Sequence, residues 1–253
     1  FNGGSRAIQS GLITPTNMLL SSIFYFTASI LTGLYLNNQF FNGQIDSTLM
    51  YLGYIGVFLG IMYTGFLRLA YNGLGDLAVF IGFGPLMVYG AALMQNLSIA
   101  PTQTIDPVIT LLYSVPVGIF IALVLFINCF QDYNADKAAN KNSWVVKLAG
   151  PSDKANYRKP FSVWKNLMFL SFLLIIGASV YAGNYFTLIA LIPMLIFNFA
   201  NKKGTEWLTQ WEKEDANLQQ LPYELLIVNV STIGIHFLTG VLLTIGVLLS
   251  VWI

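Results

Sequence analysis

The segment FINCFQDYNADKAANK places Asn128, Asp132 and Asp136 at successive four-residue intervals. On a helix that spacing brings an amide and two carboxylates into line on one face. Two aspartates one turn apart can hold Mg²⁺, which takes a few carboxylates and completes its shell with water and phosphate oxygens. Lys137 and Lys141 follow closely and could neutralise further phosphate charge. The same pattern also suits a helix end emerging into water, where Asp and Lys are ordinary; Asn128 argues against that reading, because a deeper amide needs a partner.

A second polar cluster lies in MYTGFLRLAYNGLGDLAVF, which contains Tyr63, Arg68, Tyr71 and Asp76, with Gly73 and Gly75 permitting a tight backbone path. Tyr and Arg also serve as interfacial anchors, and an aspartate suits a helix N-terminus. His236 is the sole histidine and sits seven residues after Asn229 in an apolar run. It either bonds across a helix interface or ligates a pigment or haem. The stretch 206–220, with Trp207 and Trp211 one turn apart, suits an amphipathic helix on a bilayer surface. The charged stretch 150–160 reads as a solvated loop.

These residues must be positioned by elements of a membrane protein. Of 253 residues, 56% are hydrophobic and 9% charged, far below the ~25% charge of soluble domains. A net charge of +1 argues against a nucleic-acid partner. Cys129 alone excludes a disulfide within the chain and a cysteine-built zinc site. The spacing of apolar runs predicts an all-α, polytopic transmembrane bundle with seven spans, near 17–36, 49–67, 77–97, 107–130, 163–182, 185–199 and 225–253.

All twelve Lys and Arg fall in alternate connections, Lys165 just inside the adjoining span, together with nine of the eleven acids; only Asp46 and Asp106 lie in the others. The positive-inside rule therefore puts the N-terminus and the charged, active face in the cytoplasm and the C-terminus opposite.

The motifs, in this order, resemble the UbiA superfamily of intramembrane prenyltransferases, most closely its 1,4-dihydroxy-2-naphthoate polyprenyltransferase branch of menaquinone biosynthesis. RAIQSGLITP at 6–15 is similar to the segment after that family's first aspartate-rich motif. YTGFLRLAYNGLGDLAVFIGFG is similar to its next loop and helix, and NCFQDYNADKAANKNSWVVKLAG to its second motif, N-N-x-R-D-x-x-x-D-R-x-x-G-K-x-T-L-x-V-x-L-G. Here Cys129, Gln131, Asn140 and Ser143 replace the family's asparagine, arginine, glycine and threonine, and Lys137 its second arginine. These departures leave Asn128, Asp132 and Asp136 intact and bear on the acceptor.

The resemblance implies a nine-helix fold, of which residues 1–253 would supply helices three to nine as a single domain without the first two helices and the first motif. It implies Mg²⁺-dependent transfer of a polyprenyl group from prenyl diphosphate to an aromatic quinone precursor within membrane lipid. Asp132, Asp136 and Asn128 would hold the metal. Arg6, Arg68, Lys137 and Lys141 would face the diphosphate, and Tyr63, Tyr71 and Asp76 the acceptor or the diphosphate. The alternatives are a sister enzyme acting on a chlorin, 4-hydroxybenzoate or homogentisate, and a non-catalytic membrane-complex subunit binding a pigment or quinone.

Overall fold

The computed structural model describes residues 7–99, 106–151, 154–213 and 221–252. Every regular element among them is helical. Six helices are long and apolar enough to cross a membrane, beginning at Pro15, Gly75, Pro107, Arg158, Tyr185 and Leu226. The protein is a multi-pass integral membrane protein. The seventh expected span is the shorter apolar helix Thr48–Thr64. At 17 residues it is about 26 Å long. The apolar run continues through Leu67, but the chain turns back: Leu69 and Ala70 donate to the carbonyls of Met62 and Tyr63.

The chain divides into two compact units, Phe1–Ile61 and Met62–Ile253. In the first, α1 (Pro15–Phe41) starts at Thr14, whose hydroxyl accepts from Asn17 N–H at 3.2 Å, with Pro15 in the first turn. It ends at Asn42, left-handed at φ 50°. The connection to α2 (Thr48–Thr64) is pinned by buried Asn37, which donates to Gln44 O and accepts from Ser47 Oγ.

In the second unit, α3 (Gly75–Ile81), a π-helical turn (Gly82–Leu86) and α4 (Met87–Ile99) form one rod. Pro85 lies in the wide turn, which accommodates its ring and its missing N–H. At the central helix, α5 (Pro107–Gln131), Gly84 meets Gly118 so closely that an added Cβ would fall 2.6 Å from Gly118 Cα. Small residues allow such approaches, which matter in lipid, where packing rather than water exclusion holds helices together. Short helices α6 (Tyr133–Ala138) and α7 (Trp144–Ala149) follow, then α8 (Arg158–Tyr181), a 3₁₀ segment (Tyr185–Leu191), α9 (Met194–Trp211), α10 (Leu221–Glu224) and α11 (Leu226–Trp252).

The core lies where α5, α8, α9 and α11 meet. It is aromatic: Phe120 and Phe172 pack edge to face at 5.3 Å, and fully buried Trp164 stacks on Phe161. The Trp164 indole N–H donates to Thr232 Oγ1 at 3.2 Å, tying α8 to α11. Two expectations from the sequence are corrected here. Trp207 and Trp211 do not lie on a bilayer surface; they are buried on α9, and the Trp211 N–H donates to Ala155 O. Nor is 150–160 simply a solvated loop, since Ala155 and Tyr157 are buried, and Tyr157 stacks on Phe130 and donates to its carbonyl. In both stretches charged neighbours mask aromatic residues that seek the core. Residues 214–220, the rest of the expected surface helix, lie outside the described residues.

Candidate active site

The three residues expected on one helical face sit across a break. Helix α5 ends at Gln131, α6 begins at Tyr133, and Asp132 forms the joint at φ −86°, ψ 0°. The four-residue spacing survives, because Asp132 N–H points to Asn128 O (3.4 Å) and Asp136 N–H to Asp132 O (2.7 Å). The joint turns Asp136 inward, where it is buried at 7% exposure. Its Oδ1 accepts from Lys141 Nζ at 3.0 Å; its Oδ2 is buried with no protein partner among the described residues.

Asp76, in the first turn of α3, is also 7% exposed. It accepts from its own backbone N–H and from that of Trp144, while Oδ1 is buried without a partner among the described residues. Lys141 and Asp136 both act on it electrostatically. The Cys129 side chain lies within the field of Asp76, Lys141, Asp136 and Asp132 together, and half-buried Tyr63 within that of Lys141 and Asp76. Two sequence motifs more than fifty residues apart thus meet around one lysine. Partial burial works to lower the Lys141 pKa, but the hydrogen bond and charge of Asp136 outweigh it, and the net shift is upward.

The motifs are also joined through their backbones. Asn142 N–H donates to Tyr71 O (2.8 Å), the Trp144 indole to Gly73 O (2.6 Å) and Lys147 Nζ to Asn72 O (3.1 Å). Gly73 is required: its φ is +77°, and a Cβ would overlap Lys147 and the Asn142 carbonyl. Arg68 is exposed, its guanidinium 4.3 Å from the Tyr71 ring centre. Lys137 is directed differently from Lys141, donating to Pro151 O at 2.7 Å. Arg6 lies outside the described residues.

Two contributors were not picked out as site residues from the sequence. Asn229 on α11 donates to Asn128 Oδ1 at 2.7 Å. A buried amide in an apolar span signals a partner at equal depth, but not which one. Trp144 is the other: with Asp76, Phe80, Leu123, Phe126 and Leu167 it borders an apolar cavity of about 230 Å³. A larger cavity, about 1450 Å³, lies between α4, the start of α5, residues 182–186 and the end of α11, and includes none of the expected site residues. His236 Nδ1 is buried without a partner among the described residues, so that nitrogen makes no cross-helix bond there.

The donor set suits a small hard cation. Among the described residues no three His, Cys, Asp or Glu cluster as a complete protein cage. Carboxylate and amide oxygens with an unfilled valence at Asp136 Oδ2 instead match a cation that keeps water and substrate phosphate in its shell.

Six apolar helices long enough to cross a membrane, with a buried aspartate paired to a lysine just beyond the end of α5, define a multi-pass integral membrane protein. The chain belongs to the UbiA prenyltransferase family, whose profile matches residues 2–217. It is 29% identical over 210 residues to 1,4-dihydroxy-2-naphthoate octaprenyltransferase of Haemophilus influenzae, covering 81% of this chain and 65% of that protein. It is 30% identical over 165 residues to UbiA prenyltransferase domain-containing protein 1 of Dictyostelium discoideum, covering 63% and 46%. Over 104 residues it is 38% identical to 2-carboxy-1,4-naphthoquinone phytyltransferase of Synechocystis, covering 41% and 32%. The chain spans less than two thirds of the length of each of these relatives. No solved structure gave a significant match.

Proposed function

We propose that the protein transfers a polyprenyl group from its diphosphate to an aromatic acceptor, 1,4-dihydroxy-2-naphthoate, at the end of the bundle that carries Asp136. One observation carries this reading: two buried carboxylates, each with an oxygen unpartnered among the described residues, lie around Lys141, and one of them, Asp76, lines an apolar cavity. The relatives named as acting on naphthoate or naphthoquinone support the choice of acceptor.

In the reaction the allylic carbon–oxygen bond breaks, and its electron pair leaves with the diphosphate. The aromatic ring attacks the allylic cation, forms the new carbon–carbon bond and expels the substituent at that carbon. Protonated Lys141 and the Arg68 guanidinium face the departing charge, with Arg6 and Lys137 as further cations. Mg²⁺, held by Asp132, Asp136 and Asn128, would supply positive charge to the leaving group. The rings of Phe80, Phe126 and Trp144 line an apolar cavity and can stabilise the cation. Asp76, which lines that cavity, orients the acceptor by bonding to the acceptor's hydroxyl, and Tyr63 and Tyr71 contact the acceptor or the diphosphate. The clustering of basic residues at this end supports a cytoplasmic orientation, and the prenyl substrate reaches it from the bilayer.

The test is an assay of membranes containing the protein with labelled prenyl diphosphate, offering dihydroxynaphthoate, 4-hydroxybenzoate or homogentisate, with Mg²⁺ or a chelator. Mg²⁺-dependent labelling of the naphthoate supports the proposal. Labelling of another acceptor moves the protein to a sister activity, and binding without turnover with any of the three makes it a non-catalytic member of the family.

A further inference from the structure

We infer that Asn229, on α11, is a positioning residue that acts through Asn128 on the cation- and diphosphate-binding end of α5. The inference rests on the proposed function and adds a second helix to the site. Asn229 is 2% exposed and lies between Val228 and Val230 in an apolar span. An amide there is unfavourable unless it is bonded. Among the described residues its side chain makes one hydrogen bond, from Nδ2 to Asn128 Oδ1 at 2.7 Å, across 101 residues of sequence.

Asn128 needs such a partner. It precedes the joint at Asp132 by one turn, and the helical bond across that turn is long at 3.4 Å. The donation from Asn229 to Asn128 Oδ1 fixes the plane of the amide and so the direction in which its donors and acceptor face the end of α5. The register of α11 is set one turn further on, where buried Thr232 accepts from the Trp164 indole. Asn229 is therefore held by a tie to α8 in addition to its packing on α5 and can serve as a reference for the end of α5. Its own Oδ1 is buried without a partner among the described residues. An amide that only tied two helices together would satisfy both ends; this one leaves an acceptor beside the acidic terminus of α5, where a water of a hydrated cation can donate to it.

The experiment is a double-mutant cycle in the full-length protein with Asn229→Leu and Asn128→Ala. Two readouts are taken: the Mg²⁺ concentration for half-maximal transfer, and Mg²⁺-dependent binding of labelled inorganic pyrophosphate to detergent-solubilised protein. Leu keeps the branched shape of Asn, is larger, and suits an apolar span, so insertion is retained; Asn229→Ala serves if Leu fails to accumulate. The expected result is a 10–100-fold higher Mg²⁺ requirement and weaker pyrophosphate binding. In the Asn128→Ala background the same substitution should add nothing. An unchanged Mg²⁺ requirement, an effect fully additive with Asn128→Ala, or failure of both Asn229 variants to fold would overturn the inference. Transfer and pyrophosphate binding with no cation requirement in the unsubstituted protein would instead overturn the reading on which it rests.

Discussion

Trp144 links the loop 65–75 to the segment that carries Lys141, and Trp144→Phe isolates that link. The substitution keeps an aromatic ring at the cavity wall and keeps the backbone N–H that holds Asp76, but removes the indole donor to Gly73 O at 2.6 Å. Gly73 is buried, so its carbonyl loses this partner in a place that water reaches poorly. Leaving a buried acceptor unmade costs about 1–3 kcal/mol, and ~1.4 kcal/mol is tenfold in an opening equilibrium. The two remaining ties, Asn142 N–H to Tyr71 O and Lys147 Nζ to Asn72 O, keep the loop docked most of the time. Amide exchange at Asn72, Leu74 and Asn142 should therefore quicken about tenfold, with α5 and α8 unaffected, and the acceptor KM should rise more than kcat falls. Exchange measured by mass spectrometry on detergent-solubilised protein checks this. Unchanged exchange in the loop, or an equal rise through α5 and α8, would refute the reasoning.

Gly84→Val should destabilise the bundle by about 1–3 kcal/mol through overpacking, because its Cβ would fall 2.6 Å from Gly118 Cα; an unchanged melting temperature in detergent would show that the two helices do not touch there. Arg68 has φ +45°, a backbone that costs roughly 1–2 kcal/mol for a residue with a side chain. Arg68→Gly should thus leave the loop at least as stable while raising the KM for prenyl diphosphate, and an unmoved KM would remove Arg68 from the site. Because Asp136 raises the Lys141 pKa against the effect of burial, the stabilisation from their pair is complete below the unfolded lysine value and is lost only as pH rises through the higher folded value. In Asp136→Asn the opposing support is gone and burial dominates, so Lys141 should lose its proton at lower pH; a pH titration of ¹³C-labelled lysine that shows no downward shift would contradict this.

The spans were legible because each is a long apolar run bounded by polar or turn-forming residues, and in lipid such a run has no alternative but a helix. The acidic motif was legible from its spacing. What the spacing did not carry was the joint at Asp132, and with it the divergence of Lys137 from Lys141: a straight helix would have kept both near the same carboxylates. The contacts of Asn128 with Asn229 and of Gly73 with Trp144 link positions 101 and 71 residues apart, and local patterns hold no information at that range. Trp207 and Trp211 were misplaced for a different reason. Glu206, Glu212 and Lys213 give the stretch 206–220 an amphipathic look, yet Trp207 and Trp211 face aromatic neighbours at Tyr157 and Phe130 instead of lipid headgroups.

The central claim is that the Asp136 end of the bundle carries out prenyl transfer. Its most direct test compares unsubstituted and Asp136→Asn protein, matched for amount in the membrane, for transfer of labelled prenyl diphosphate to dihydroxynaphthoate in Mg²⁺. The account predicts labelled product from the unsubstituted protein and a loss of at least about 100-fold in the variant, with membrane insertion unchanged. Equal product from both proteins would contradict it.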